Sequence, residues 1–132
     1  MYYKLLIVDD EKTILEGLKT VVDWNELGYE IIGEAGNGVE ALSFIHNNGC
    51  PDVVLADIRM PLMDGLELMK CAREEGYNFH FIILSGYDHF EYVQKAIELG
   101  ADNYILKPTK LDELISKFKA LKDKMDEEQK KI

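Results

Sequence analysis

The sequence is poor in the residues that cross-link a chain or anchor it in a membrane. It has two cysteines, Cys50 and Cys71, no CxxC pair and three prolines among 132 residues. Cysteines this sparse are typical of a reducing compartment, where disulfides are rare. The N-terminal apolar run is too short for a signal peptide, and no run approaches the roughly 18 residues of a membrane span. We therefore expect a cytoplasmic protein without membrane contacts.

Positive charge is also scarce. Lys and Arg number 15 against 25 Asp and Glu, which gives a formal net charge of −10. Because binding to nucleic-acid phosphates depends on Lys and Arg, this part of the protein is not expected to bind DNA or RNA itself. The 47% hydrophobic and 30% charged residues are those of an ordinary globular chain, and the length suits one domain.

What the sequence does contain is a regular alternation of short apolar runs and longer amphipathic ones. Strands are predicted over residues 3–8, 29–35, 52–56, 80–85 and 103–107. The first, third and fourth are almost continuously apolar, as expected for strands buried on both faces. The stretches between them show helical spacing of apolar residues, and Gly49, Gly76 and Gly100 stand where helices should end. The order is (βα) five times, which predicts an α/β fold with a doubly wound five-stranded parallel sheet.

Helix boundaries are predicted from local signals. Asp64, Asp88 and Thr109 are each followed three residues later by an acid, as at the start of a capped helix. The spacing of Phe90, Val93, Ile97 and Leu99 predicts a buried stripe on the fourth long helix. The last stretch, KDKMDEEQKKI (residues 122–132), is highly charged and loses its apolar stripe after Met125. We therefore predict the domain over residues 1–121 and a helix extension or linker over residues 122–132.

Polar side chains follow the predicted strands where those strands end. Asp9 and Asp10 follow the first, Asp57 the third, Ser85 ends the fourth and Lys107 ends the fifth. Ligands of open α/β sheets bind at this edge. Clustered carboxylates suit Mg²⁺, and a carboxylate beside such a metal can attack a phosphoryl group that a Lys and a hydroxyl then stabilise. The metal would also relieve the repulsion between the acids.

Four motifs give this pattern a family. LLIVDDE, VLADIRMPLMDG, ILSGYD and YILKP, between residue 3 and about residue 121, resemble the receiver domain of bacterial two-component response regulators. The resemblance implies a flavodoxin-like fold with strand order 2-1-3-4-5, Mg²⁺ (or Mn²⁺) as cofactor and phosphorylation of one Asp by a sensor histidine kinase. It further implies homodimerisation on phosphorylation. The domain would be a switch that catalyses only its own phosphoryl transfer and slow dephosphorylation, not an enzyme with a separate substrate.

The resemblance also implies roles for the acidic residues and their neighbours. Asp57 matches the phospho-acceptor, Asp10 a direct metal ligand and Asp9 the acid that helps to hold the metal. The backbone carbonyl of Arg59 matches a further ligand. The side chains of Arg59 and Tyr87 would flank the phosphoryl group and hinder attack by water, so we expect a phosphoryl lifetime longer than in receivers with small or acidic residues there.

Residues on the fourth and fifth strands match the family's switch. Ser85 corresponds to the hydroxyl that hydrogen-bonds the phosphoryl group, and Lys107 to the ammonium that pairs with it. Tyr104 corresponds to the aromatic residue whose rotamer follows activation. The bond between Lys107 and Pro108 corresponds to a peptide bond that is frequently cis in the family.

The output of the switch is less fully specified. VDWNELGYEIIGEAGNG and SGYDHFEYVQKAI resemble receivers that precede AraC-type DNA-binding domains, which implies transcription regulation by a C-terminal domain missing from this sequence. A stand-alone receiver acting through protein contacts is the alternative. A haloacid-dehalogenase-type phosphatase is less favoured. Its DxD motif would follow the first strand, where this sequence has the adjacent pair Asp9 and Asp10. A flavin binder is disfavoured because VDDEKT would repel its phosphate. His46, His80 and His89 share no ligand spacing and are expected at the surface.

Overall fold

A computed structural model of the chain describes residues 1–86 and 89–130. It contains a five-stranded parallel sheet in the order β2-β1-β3-β4-β5. The strands are β1 (Tyr3–Val8), β2 (Tyr29–Ala35), β3 (Val53–Ala56), β4 (His80–Ser85) and β5 (Asn103–Leu106). The predicted flavodoxin-like fold class and strand order are confirmed.

Helices connect the strands on both faces of the sheet. They are α1 (Lys12–Val21), α2 (Trp24–Leu27), α3 (Gly38–Asn48), α4 (Gly65–Glu74), α5 (Phe90–Glu98) and α6 (Leu111–Lys130). None of the helices in the described ranges is both long and apolar enough to cross a membrane. The short helix α2 was not predicted. The Asp23 carboxylate caps its start by accepting from the backbone N–H of Glu26, and Gly28 ends it in the left-handed conformation.

The helix ends follow their local signals with one exception. Asp64 and Glu67 form the predicted capping box at the start of α4. The hydroxyl of Thr109 instead donates to the carboxylate of Glu113 and to a backbone carbonyl. Asp88 lies outside the described residues. The three glycines predicted to end helices all have positive φ: Gly49 (95°), Gly76 (89°) and Gly100 (88°).

The sheet separates two hydrophobic cores. On one face, Leu5 and Ile7 of β1 pack with residues of α1 and α6. On the other face, Leu6 and Val8 of the same strand pack with residues of α3, α4 and α5. The interior strand β1 is thus buried on both sides, which fixes the position of the acidic residues that follow it.

The buried stripe predicted for α5 is wrong at two of its four positions, since Val93 and Leu99 are half-buried but Phe90 and Ile97 are not. Phe90 and Ile97 are 76% and 67% exposed, whereas Ala96 is buried against the sheet. Tyr92 and, at the end of α5, Leu99 pack against the same core as Ala96, so the face of α5 that meets the sheet is offset from the predicted stripe. Leu106 and Leu111 are exposed like Phe90 and Ile97, and we call these four exposed apolar residues of α5, β5 and α6 the α5–β5–α6 face.

Candidate phosphoryl and metal site

Two buried carboxylates lie at the carboxyl ends of β1 and β3. Asp9 is 3% and Asp57 is 6% exposed. The backbone N–H of Asp57 donates to the carbonyl of Val8 at 3.0 Å, which holds the two strand ends side by side. One carboxylate oxygen of each acid accepts a backbone hydrogen bond, Asp57 from Ile58 at 2.7 Å and Asp9 from Glu11 at 3.0 Å. The acids are therefore oriented by the backbone before any ligand arrives.

The ammonium of Lys107 bridges these acids. Its Nζ lies 2.9 Å from Oδ2 of Asp9 and 3.1 Å from Oδ2 of Asp57. Burial alone would lower the pKa of Lys107, but hydrogen bonds and attraction from the two carboxylates outweigh burial and raise the pKa above its ordinary value. Lys107 is thus held as a cation against both acids.

The site also has the donors expected of a metal centre. Carboxylate oxygens of Asp9, Asp10 and Asp57 lie within 4.8 Å of one another, the one such group of His, Cys, Asp or Glu residues found in residues 1–86 and 89–130. Asp10 is exposed, so the cluster opens to solvent. Three carboxylates against one ammonium leave net negative charge, and an all-oxygen donor set fits Mg²⁺ or Mn²⁺.

The loop after β3 wraps closely around Asp57. The backbone N–H of Gly65 donates to the carbonyl of Ile58 at 2.8 Å, and a Cβ at Gly65 would clash with the backbone oxygen of Asp57. The loop therefore requires glycine at this position. Arg59 is exposed on the loop and lines the same cleft as Asp10, on the metal side of the site.

The remaining predicted site residues lie on β4 and β5 or in the adjoining loops. Ser85 is fully buried at the end of β4, and its backbone carbonyl accepts from the N–H of Lys107 at 2.8 Å. Tyr104 is half-buried on β5 and packs against the core shared with α5. The bond between Lys107 and Pro108 is cis. Tyr87 lies outside the described residues.

A second charged cluster, not predicted, lies at the opposite end of the sheet. His80 contacts Asp102 and Glu128 through its two ring nitrogens, and Lys124 contacts Asp102 at 3.0 Å. His80 was expected to be an ordinary surface histidine. Since 48 residues separate it from Glu128, no local spacing could have indicated the pair.

Comparison with known proteins decides the family. The profile described as the response regulator receiver domain matches residues 5–119. The chain belongs to the response regulator receiver domain family. It is 40% identical over 120 residues to the transcriptional regulatory protein YesN of Bacillus subtilis, covering 90% of this chain and 32% of that protein. It is 42% identical over 106 residues to the transcriptional regulatory protein HptR of Staphylococcus aureus, covering 80% of this chain and 41% of that protein.

Solved structures of receivers agree. The receiver domain of AraT, a response regulator from Geobacillus stearothermophilus, is 46% identical with a TM-score of 0.83, covering 98% of this chain and 99% of that one. A CheY-like receiver domain protein from Methanospirillum hungatei is 32% identical with a TM-score of 0.82, covering all of both chains. The receiver thus spans about a third to two fifths of the length of the curated relatives above.

Proposed function

We propose that this receiver accepts a phosphoryl group on Asp57 from a sensor histidine kinase and thereby switches an output. The observation that carries the proposal is the bridge of Lys107 between Asp9 and Asp57, with Asp10 beside them. An ammonium and a cluster of metal-ligating acids around one buried carboxylate are what phosphoryl transfer to that carboxylate requires.

Asp9, Asp10 and Asp57 would hold Mg²⁺ or Mn²⁺, with the backbone carbonyl of Arg59 as a further ligand. When bound, the metal supplies positive charge that stabilises the phosphoryl oxygens and the acids. A carboxylate oxygen of Asp57 would attack phosphorus as the bond from phosphorus to the kinase's histidine nitrogen breaks. The electron pair of that bond leaves with the imidazole. Lys107 would then pair with the transferred group.

The chain would act only on itself. Its reactions would be its own phosphorylation and slow hydrolysis of the product, with no separate substrate turned over. Arg59 and Tyr87 would slow that hydrolysis by shielding the phosphoryl group from water. If Arg59→Ala combined with Tyr87→Ala leaves the dephosphorylation rate unchanged, this shielding role is wrong.

The switch would run from the phosphoryl group to the α5–β5–α6 face. Ser85 would donate its hydroxyl to the phosphoryl group and Tyr104 would follow, shifting the population between two existing states. The exposed Phe90 and Ile97 then supply apolar surface for a homodimer. Light scattering before and after phosphorylation tests this, and Ile97→Glu should keep the phosphorylated chain monomeric.

The output proposed for the full-length protein is DNA binding by an AraC-type domain C-terminal to this receiver. Its support is that YesN and HptR are named transcriptional regulators and are longer than this chain. Residues 1–121 would be the receiver and 122–132 a helix extension toward that domain. The site of action would be the cytoplasm, consistent with two free cysteines. A gene that ends with this receiver would favour the stand-alone alternative instead.

Intact-mass spectrometry tests the proposal. The chain is incubated with acetyl phosphate, with Mg²⁺ or with EDTA. We expect a mass increase of one phosphoryl group in the sample with Mg²⁺ and no increase in the sample with EDTA. The Asp57→Asn variant should show no increase in either sample. The matched control is Asp52→Asn, which changes an Asp just before β3, at the other end of that strand, and should phosphorylate normally. A folded wild-type chain without the adduct, or an adduct on Asp57→Asn, would overturn the proposal.

A further inference from the structure

His80 lies between carboxylates from two different elements. Its Nδ1 is 3.0 Å from Oδ1 of Asp102, just before β5, and its Nε2 is 2.9 Å from Oε1 of Glu128 on α6. Ionised carboxylates only accept hydrogen bonds, so both contacts are hydrogen bonds only when both ring nitrogens carry protons. The geometry therefore fits the imidazolium form of His80.

Glu128 belongs to the part of α6 beyond the last residue of the predicted domain. We call residues 122–130 the α6 extension. It lies against the amino-terminal end of the sheet, where Met125 is 4% exposed. The hydroxyl of Tyr3 donates to Asp126 at 2.6 Å and Lys124 donates to Asp102 at 3.0 Å. Among these contacts, the one from His80 to Glu128 lies nearest the described end of the helix.

The two carboxylates that contact His80 differ in how firmly the protein holds them. The side chain of Asp102 is 12% exposed, and it also accepts from the backbone N–H of Phe81 at 2.9 Å. The side chain of Glu128 is 50% exposed. When His80 has a single N–H to donate, Asp102 therefore keeps it, and Glu128 is the carboxylate that can turn into solvent.

Other charged and titratable groups surround the cluster from every neighbouring element. His80, Asp102 and Glu128 line a cleft at this end of the sheet. The other charged or titratable residues that line this cleft or contact its residues are Tyr3 of β1, Asp52 before β3, Arg73 of α4, and Lys124 and Asp126 of α6. Of these, Lys124 contacts Asp102 directly and Asp126 is held by Tyr3 and Lys122. Arg and Lys stay charged at neutral pH and Asp stays ionised, so His80 is the group that changes charge there.

We propose that His80 is a protonation-dependent latch that fastens the end of the α6 extension to the sheet. The imidazolium holds Asp102 and Glu128 together. The neutral ring turns a lone pair toward Glu128, which breaks that hydrogen bond and releases the last turn. Met125 and the bond from Tyr3 to Asp126 keep the earlier part of the extension docked. The proposal does not depend on phosphorylation.

The direction of the pH response follows from the partners. The hydrogen bond to Asp102 raises the pKa of His80 above its ordinary value of about 6.5, against the opposing effect of burial. The contact to Glu128 is therefore fully present below about pH 6.5 and is lost as the pH rises through the raised pKa.

Amide hydrogen exchange on this chain tests the latch. Protection factors, corrected for intrinsic exchange, are compared at about pH 6 and at a pH two or more units above the ordinary His pKa. We expect a several-fold loss of protection over residues 127–130 at the higher pH and none over residues 112–120. His80→Gln and Glu128→Gln should abolish this pH response. Glu127→Gln, which removes the same charge from the same turn but from a carboxylate that pairs with Lys130 of α6 and not with His80, should retain it.

The ring nitrogens of His80 give a second readout. Their ¹⁵N shifts should report a pKa above that of free histidine, lowered by Glu128→Gln and unchanged by Glu127→Gln. Because Glu128 is half-exposed, its variant should fold normally even if His80→Gln does not. The latch is refuted if His80 titrates while the exchange of residues 127–130 does not respond, or if Glu128→Gln responds like the wild type.

Discussion

The two ends of the sheet both collect charged side chains, but they balance charge differently. At the carboxyl ends of the strands, three carboxylates meet the single ammonium of Lys107. At the amino ends, the carboxylates of Asp102 and Glu128 meet two cations, His80 and Lys124. The first cluster therefore has a net negative charge, whereas the carboxylates of the second are neutralised by cationic side chains of the protein.

This difference separates a ligand site from a structural contact. Crowded, buried carboxylates destabilise a fold unless something cationic joins them, so an excess of acids indicates an exogenous cation. A balanced cluster needs no ligand, and here it holds the α6 extension against the sheet. Substitutions at the two ends should therefore respond differently to metal and to pH.

The largest expected effect is that of Lys107→Ala. Removing this ammonium leaves Asp9 and Asp57 buried without the cation that bridges them, which should lower the free energy of unfolding by about 3 kcal/mol. Urea unfolding in EDTA measures it. Lys110→Ala, an exposed lysine nearby, is the control and should cost less than about 0.5 kcal/mol. Equal losses in both variants would mean that the acids do not need Lys107.

At the other end, Asp102→Asn should cost about 2 kcal/mol near neutral pH. Burial would raise the pKa of Asp102, but hydrogen bonds from His80, the backbone of Phe81 and Lys124 lower it to about 2. Its stabilisation is present above the ordinary pKa of about 3.9 and is lost as the pH falls toward 2. Unfolding measured between these pH values should therefore show a steeper loss for wild type than for the variant. Asp123→Asn, an exposed change on α6, should behave like wild type.

A smaller effect is expected from Mg²⁺. At ten times its dissociation constant, a ligand that binds only the folded state adds about 1.4 kcal/mol to the free energy of unfolding. Asp10→Asn should weaken this stabilisation by removing an open carboxylate from the cluster, and Glu11→Gln, the next residue, should preserve it. Thermal unfolding against Mg²⁺ concentration measures both. If Mg²⁺ stabilised the two variants equally, Asp10 would not be a ligand of the metal.

The smallest expected effect is that of Gly17→Ala, which serves as a reference because Gly17 belongs to neither charged cluster. Gly17 lies inside α1 and a Cβ there would meet nothing within 4 Å. Gly17→Ala should therefore raise the free energy of unfolding by about 0.5–1 kcal/mol through helix propensity alone. It should do so equally with and without Mg²⁺. A loss of stability would show that the surface of α1 is more tightly packed than described.

The strands could be predicted to within one residue at each end, since buried parallel strands are continuous apolar runs between polar ends. The meeting of Asp9, Asp57 and Lys107 also followed, because parallel strands bring their carboxyl ends to one edge of the sheet. These predictions depend on local pattern and chain direction alone.

Other features depend on tertiary contacts that no local pattern records. Helix α2 has four residues, too few for a hydrophobic period. In α5, periodicity identified the apolar residues but not the face that meets the sheet, where Tyr92 and Ala96 lie. The pairing of His80 with Glu128 depends on α6 continuing past the predicted domain boundary and lying against the amino-terminal end of the sheet.

The central claim is that Asp57 is the residue that takes the phosphoryl group. It is tested most directly by treating the chain with acetyl phosphate and Mg²⁺, reducing the acyl phosphate with borohydride and locating the resulting homoserine by peptide mass spectrometry. We predict homoserine at position 57 and nowhere else. Homoserine at position 9 or 10, or at none in the folded chain, would contradict the account.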